Sequence, residues 1–173
     1  VAQQLRAIQR HHLDRGAEFG APGDRVGDDT DRFIEFWNHV FMTYDLAEDG
    51  VQLVLAAEGV PAGDYAREIF QNAGISTTAL ANVVSNEEDV KAVITKVMSG
   101  EADAGIGYVT DVTPDVADQI TLTPIPDEVN VIATYPIAVV TGSEEADLAQ
   151  GFVDYVLGDG QQTLAEYGFL PPP

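Results

Sequence analysis

Three short stretches combine residue types suited to holding an anion. The first is Gly59-Val60-Pro61-Ala62-Gly63-Asp64-Tyr65-Ala66, set between the apolar run VQLVLA and the helix-like YAREIFQNAG. A helix N-terminus leaves backbone N–H groups without intrahelical partners, and its dipole favours negative charge. Pro61 suits a first helical turn, while Gly59 and Gly63 let backbone approach a ligand closely. An ordinary strand-to-helix connection would use the same residues, because a few glycines make a weak fingerprint. The second stretch is Ser85-Asn86-Glu87-Glu88-Asp89-Val90, where Ser85 and Glu88 fit a capping box and mark another helix start. With Ser85 as cap, the Val90 amide is paired inside the helix; with a start nearer Glu87, it is free. The third is Tyr108, which ends AGIGYV and would aim its hydroxyl at the same crevice, although a strand-end tyrosine also serves simply as packing.

Other chemistries find little support. The chain has no cysteine, which excludes thiolate catalysis, disulfides and Cys-ligated zinc. His11, His12 and His39 are its only histidines, and none sits in a metal motif such as HExxH. A GxSxG elbow, a Walker loop and GxGxxG are all missing. No nucleophile or acid–base pair stands out, so the expectation is a binding protein without cofactor, not an enzyme.

Charge narrows the partners. The 173 residues include 29 acids and 8 bases, a net charge of −21. After residue 50 only Arg67, Lys91 and Lys96 are cationic. A nucleic-acid face needs clustered Lys and Arg, so no nucleic-acid partner is expected. Solubility at high salt is the simplest account of the acidity. No apolar run approaches the roughly 18–20 residues of a membrane helix, and no signal-peptide pattern opens the chain. Direct membrane insertion is therefore not expected.

The elements that must position these residues follow an alternating pattern from residue 51. Strands are expected at 51–56, 82–84, 104–109, 121–125 and 135–140. Helices are expected at about 62–73, ended by Gly74, at 87–99, ended by Gly100, and at 144–157 and 159–167. Such alternation implies an α/β fold, a mainly parallel sheet with helices on both faces, whose helix starts share one edge. Residues 1–50 differ in texture. VAQQLRAIQRHHLD reads as a short helix, 16–29 as a loop, and 33–41 as a helix or a strand. Asp49-Gly50 is a hairpin signal that would fold such a strand back on VQLVLA.

The blocks EGVPAGDYAREIFQNAGI, NEEDVKAVITKVMSGEADAGIGYVTDV, YPIAVVTGS and FVDYVLGDGQQTLAEYGFLPP together resemble the molybdate-binding proteins of ABC importers, which are type II periplasmic binding proteins. The resemblance covers residues 51–173 and implies an oxyanion-binding α/β domain there. It implies molybdate or tungstate as ligand, an ABC transporter membrane component as partner, and a periplasmic or extracytoplasmic location. In that family backbone amides and hydroxyls hold the oxyanion without salt bridges. Carried across by motif, Ala62 and Val90 are backbone donors and Tyr108 is a hydroxyl donor. The family has two lobes, and the opening strands and helices of the first do not match here. YPIAVV and the last two helices should therefore expose apolar surface or find another partner.

Residues 1–50 form a separate segment of uncertain fold. Within it, DRGAEFG and DDTDRFIEFWNHVFMTYDLAEDG resemble part of the alanyl-tRNA synthetase catalytic core, where the tryptophan matching Trp37 lines the alanine pocket. The ATP-binding motifs and tRNA modules of such an enzyme have no counterpart, so the chain resembles a chimera. A synthetase fragment and a ligand-free structural or interaction domain stand as the alternatives to oxyanion binding.

Overall fold

A computed structural model describes residues 1–10 and 45–172. In chain order the elements are β1 (Ala2–Arg10), β2 (Leu53–Ala56), α1 (Pro61–Asn72), α2 (Ser76–Ala81), β3 (Val83–Glu87), α3 (Val90–Ser99) and β4 (Ala104–Tyr108). A single 3-10 turn at Val109–Asp111 leads to α4 (Pro114–Ala117), β5 (Ile120–Pro124), β6 (Ile132–Thr134), α5 (Ala146–Leu157) and α6 (Gly160–Glu166).

The sheet runs β3-β2-β4-β1-β5, and β6 pairs with the start of β1. β2 is parallel to both β3 and β4, whereas β1 is antiparallel to β4, β5 and β6. The fold is thus mixed α/β, with a parallel half built by β2-α1 and β3-α3 units. Every residue of β2 and β4 is buried, so the sheet centre is covered on both faces. Phe70, Ile69 and Ala66 of α1 and Val93 and Val97 of α3 bring their apolar stripes to it and are fully buried. Burying a side chain of this size contributes about 1.5–3 kcal/mol.

Several expectations change. VAQQLRAIQR is a strand, not a helix: Ala2, Gln3, Leu5, Ala7 and Ile8 are all buried, and the segment pairs on both edges. Its Gln and Arg favour helix weakly, and two ladders of hydrogen bonds override a propensity worth a few tenths of a kcal/mol per residue. YPIAVV is irregular, because Pro136 has no N–H to give a ladder and Ile137 and Val140 face solvent. β3 and β4 occupy both edges of β2, and the segment expected to fold back on it lies mostly outside the described residues. Ser85 lies inside β3 and caps nothing; there its hydroxyl bonds Glu87 and accepts from Lys96 Nζ at 2.8 Å. The short α2 and β6 had no signal in the sequence.

The helices α1, α3, α5 and α6 lie close to their expected bounds, and Gly74 and Gly100 follow α1 and α3 with positive φ. The expected apolar exposure also appears. α5 buries none of its residues, and Leu148, Phe152 and Tyr155 stand in a row on its exposed side.

Candidate functional site

α1, α3 and the end of β4 meet at one edge of the sheet. There Val60, Pro61, Ala62, Asp89, Val90, Lys91, Tyr108, Asp111 and Tyr135 line a cleft of about 320 Å³. The structure therefore brings Ala62, Val90 and Tyr108 together. Trp37, His11, His12 and His39 lie outside the described residues.

Local chemistry decides which donors are left for a ligand. In the first turn of α1, Pro61 has no N–H, and the amides of Gly63 and Asp64 both donate to the Val60 carbonyl, at 2.8 and 3.0 Å. The Gly59 N–H donates to Asp64 Oδ1 at 2.9 Å. Among the described residues, the Ala62 amide is the one in this turn without an acceptor. Gly63 makes the arrangement possible: a Cβ there would stand 2.2 Å from the Ala56 carbonyl oxygen and 2.4 Å from that of Ala57. Only a hydrogen lets α1 start so close to the end of β2.

α3 begins at Val90, with Asp89 as its cap: Asp89 Oδ1 accepts from the Ala92 amide at 2.8 Å, and its carbonyl accepts from Val93 at 3.4 Å. That start settles the Val90 question. Val90 and Lys91 occupy the first two helical positions, and neither amide has an acceptor among the described residues. Gly107 of β4 leaves room for this helix end, since a Cβ there would meet Val90 Cγ1 at 2.8 Å and Ile8 Cδ1 at 2.7 Å.

Tyr108 is 7% exposed. Burial pushes its hydroxyl well above the ordinary tyrosine range, helped by Tyr135, Tyr65 and Asp111 nearby. It remains an O–H donor at any working pH. The Tyr108 amide donates to Asp111 Oδ2 at 3.3 Å, which holds the turn after β4. Burial raises the Asp111 carboxyl above its usual value, against the pull of the Tyr108 amide and Lys91 and with a push from Asp89. Two acids and one lysine therefore share the rim, and the donors inside are neutral.

Sequence reasoning missed three of these residues. The Lys91 amide follows from Asp89 as cap, and Asp89 stands directly before the apolar positions 90, 93, 94 and 97, a signal passed over for Ser85. Asp111 carries no local signal beyond its place in AGIGYVTDV. Tyr135 sits 27 positions beyond Tyr108, and no local spacing connects them. Among the described residues, no cluster of three or more His, Asp or Glu could hold a metal ion, and no helix is long and apolar enough to cross a membrane.

Comparison with known proteins gives this geometry a context. The molybdate-binding protein ModA of Mycobacterium tuberculosis is 36% identical over 129 residues, covering 74% of this chain and 48% of that protein. A solved substrate binding domain attributed to a molybdenum ABC transporter of Clostridium difficile superposes with a TM-score of 0.71 at 26% identity, covering all of this chain and 65% of that one. An alanine–tRNA ligase of Clostridioides difficile is 41% identical over 54 residues, which are 30% of this chain and only 6% of the ligase. The chain spans about half the length of the molybdate-binding relatives it matches. The profile of the bacterial extracellular solute-binding proteins matches residues 39–170, and the chain belongs to that family.

Proposed function

We propose that the cleft between α1, α3 and β4 binds a tetrahedral oxyanion, molybdate or tungstate, and that the chain is the binding component of an ABC importer, not an enzyme. The observation that carries this reading is the set of unpaired donors at one point. The amides of Ala62, Val90 and Lys91 lack acceptors among the described residues, and the Tyr108 hydroxyl lines the same cleft. The names of the relatives supply the choice of metal-centred oxyanions. An oxyanion needs donors on several sides, and helix N-termini supply them with a favourable dipole.

The acidity of the chain is compatible with this function. Arg67 donates to the carbonyls of Ala56 and Gly63 and to Asn86, and Lys96 pairs with Glu87 at 2.8 Å. Backbone dipoles act at contact range, whereas distributed charge is screened within about 8–10 Å at ordinary salt. Charge-assisted hydrogen bonds contribute about 1.5–3 kcal/mol each. Three or four of them, set against the cost of association, give a millimolar to micromolar dissociation constant for this half of a two-sided site. The reading places the protein outside the cytoplasm, with the importer's membrane component as partner.

Calorimetric titration with molybdate, tungstate and sulfate tests it. The expected result is binding of the first two, weakened about tenfold or more by Tyr108→Phe. No heat from any anion, or equal affinity in parent and variant, would contradict it.

A further inference from the structure

Among the described residues, the buried polar residue is Gln3, 3% exposed, in the strand that the sequence disguised as a helix. Its carbonyl oxygen accepts from the Thr110 hydroxyl, in the 3-10 turn directly after Tyr108, and its side-chain amide donates to the hydroxyl of Tyr135. The backbone of Tyr135 is fixed as well: its N–H donates to the Val1 carbonyl at 2.7 Å, one step beyond the β1–β6 ladder. Tyr135 lines the cleft beside Tyr108. A chain of side chains thus runs from Thr110 through Gln3 to Tyr135, which stands next to Tyr108 in the cleft.

The Gln3 amide is a donor only, so it fills a lone pair of the Tyr135 oxygen and offers no acceptor to that hydroxyl's proton. Among the described residues, neither tyrosine hydroxyl donates to a protein acceptor. Both residues line the cleft, so these protons are available to a ligand there. Breaking either contact would leave a buried polar group of Gln3 unpaired, which is costly.

We propose that Tyr135 is a further ligand-binding residue of this cleft, and that Gln3, anchored on Thr110, positions it so that the tyrosine pair presents an O–H to the bound oxyanion. The inference rests on the oxyanion reading above and extends it. The ligand class it fits is an anion whose oxygens only accept, since the tyrosine hydroxyls and the free amides inside the cleft donate.

The test compares tungstate binding by calorimetry in the parent chain, Tyr135→Phe, Gln3→Met, the double variant and Tyr108→Phe. Tyr135→Phe should weaken tungstate about tenfold, and Gln3→Met by a similar factor. The double variant should bind no worse than Tyr135→Phe, because Gln3 acts through that hydroxyl. In the parent, the carbon that bears the Tyr135 hydroxyl should shift in its NMR spectrum when tungstate is added, a response that a purely structural role would not give. If Gln3→Met fails to fold, Tyr135→Phe and this carbon shift decide the matter. Unchanged affinity in Tyr135→Phe alongside weakened binding in Tyr108→Phe would overturn this inference and leave the oxyanion reading standing. A parent that binds no tungstate would overturn both.

Discussion

Gly63→Ala probes packing and site in one substitution. The added methyl would stand 2.2 Å from the Ala56 carbonyl oxygen and 2.4 Å from that of Ala57. Both obstacles are backbone at the end of a fully buried strand, so neither can rotate away. Restoring an ordinary contact requires the start of α1 to retreat by roughly 1 Å. Overpacking of this kind costs about 1–3 kcal/mol, and for a chain of this size each kcal/mol lowers Tm by about 2–4 °C. The retreat carries the neighbouring Ala62 amide out of hydrogen-bond range, so oxyanion affinity should fall by roughly tenfold or more. Scanning calorimetry and anion titration on the same sample read both effects. A variant with parental Tm and parental affinity would refute the claim that this glycine sets the approach of α1. A lower Tm with unchanged affinity would refute the role given to Ala62.

Gly151→Ala should act in the opposite direction, because a Cβ there meets nothing within 4 Å and the residue lies inside the exposed α5; relief of the helix penalty should raise stability by about 0.5–1 kcal/mol in chemical denaturation. Asp111→Asn keeps an acceptor for the Tyr108 amide and removes a charge from the cleft, so anion affinity at neutral pH should rise about threefold to fivefold. The same variant should lose part of the pH dependence of stability. Asp111 binds its proton more tightly folded than unfolded, so its contribution is fully present below about pH 3.8, the ordinary value, and is lost as pH rises through the raised folded value. Denaturation midpoints across pH 3–7 that fall equally in parent and variant would contradict that cause.

The parallel half of the fold was legible because its signals are local. VQLVLA is a short apolar run, and α1 and α3 carry apolar positions at helical spacing that end on glycines. These units also fixed the edge where the helix starts gather, while the donor roles of Ala62, Val90 and Tyr108 came from the family resemblance. What was illegible depends on partners distant in the chain. β1 is a strand because β4 and β5 take both of its edges, and nothing within AQQLRAIQR announces that. YPIAVV looks like a strand by composition, yet after Tyr135 the chain finds no ladder. Tyr135 reaches the cleft through Gln3 and Val1, residues more than 130 positions away. The cap of α3 was the exception, a local signal misread: Ser85 and Asp89 both suit a helix start, and the strand pairing of Ser85 with Val54 decides between them.

In the proposed site, unpaired backbone amides hold the anion. An amide NMR spectrum of the chain, recorded with and without tungstate, tests it most directly. The N–H signals of Ala62, Val90 and Lys91 should move downfield together and saturate at one common affinity, while those of Gly63 and Ala92, already bonded to Val60 and Asp89, should move far less. Saturable tungstate binding that leaves the Ala62 and Val90 amides in place would contradict it.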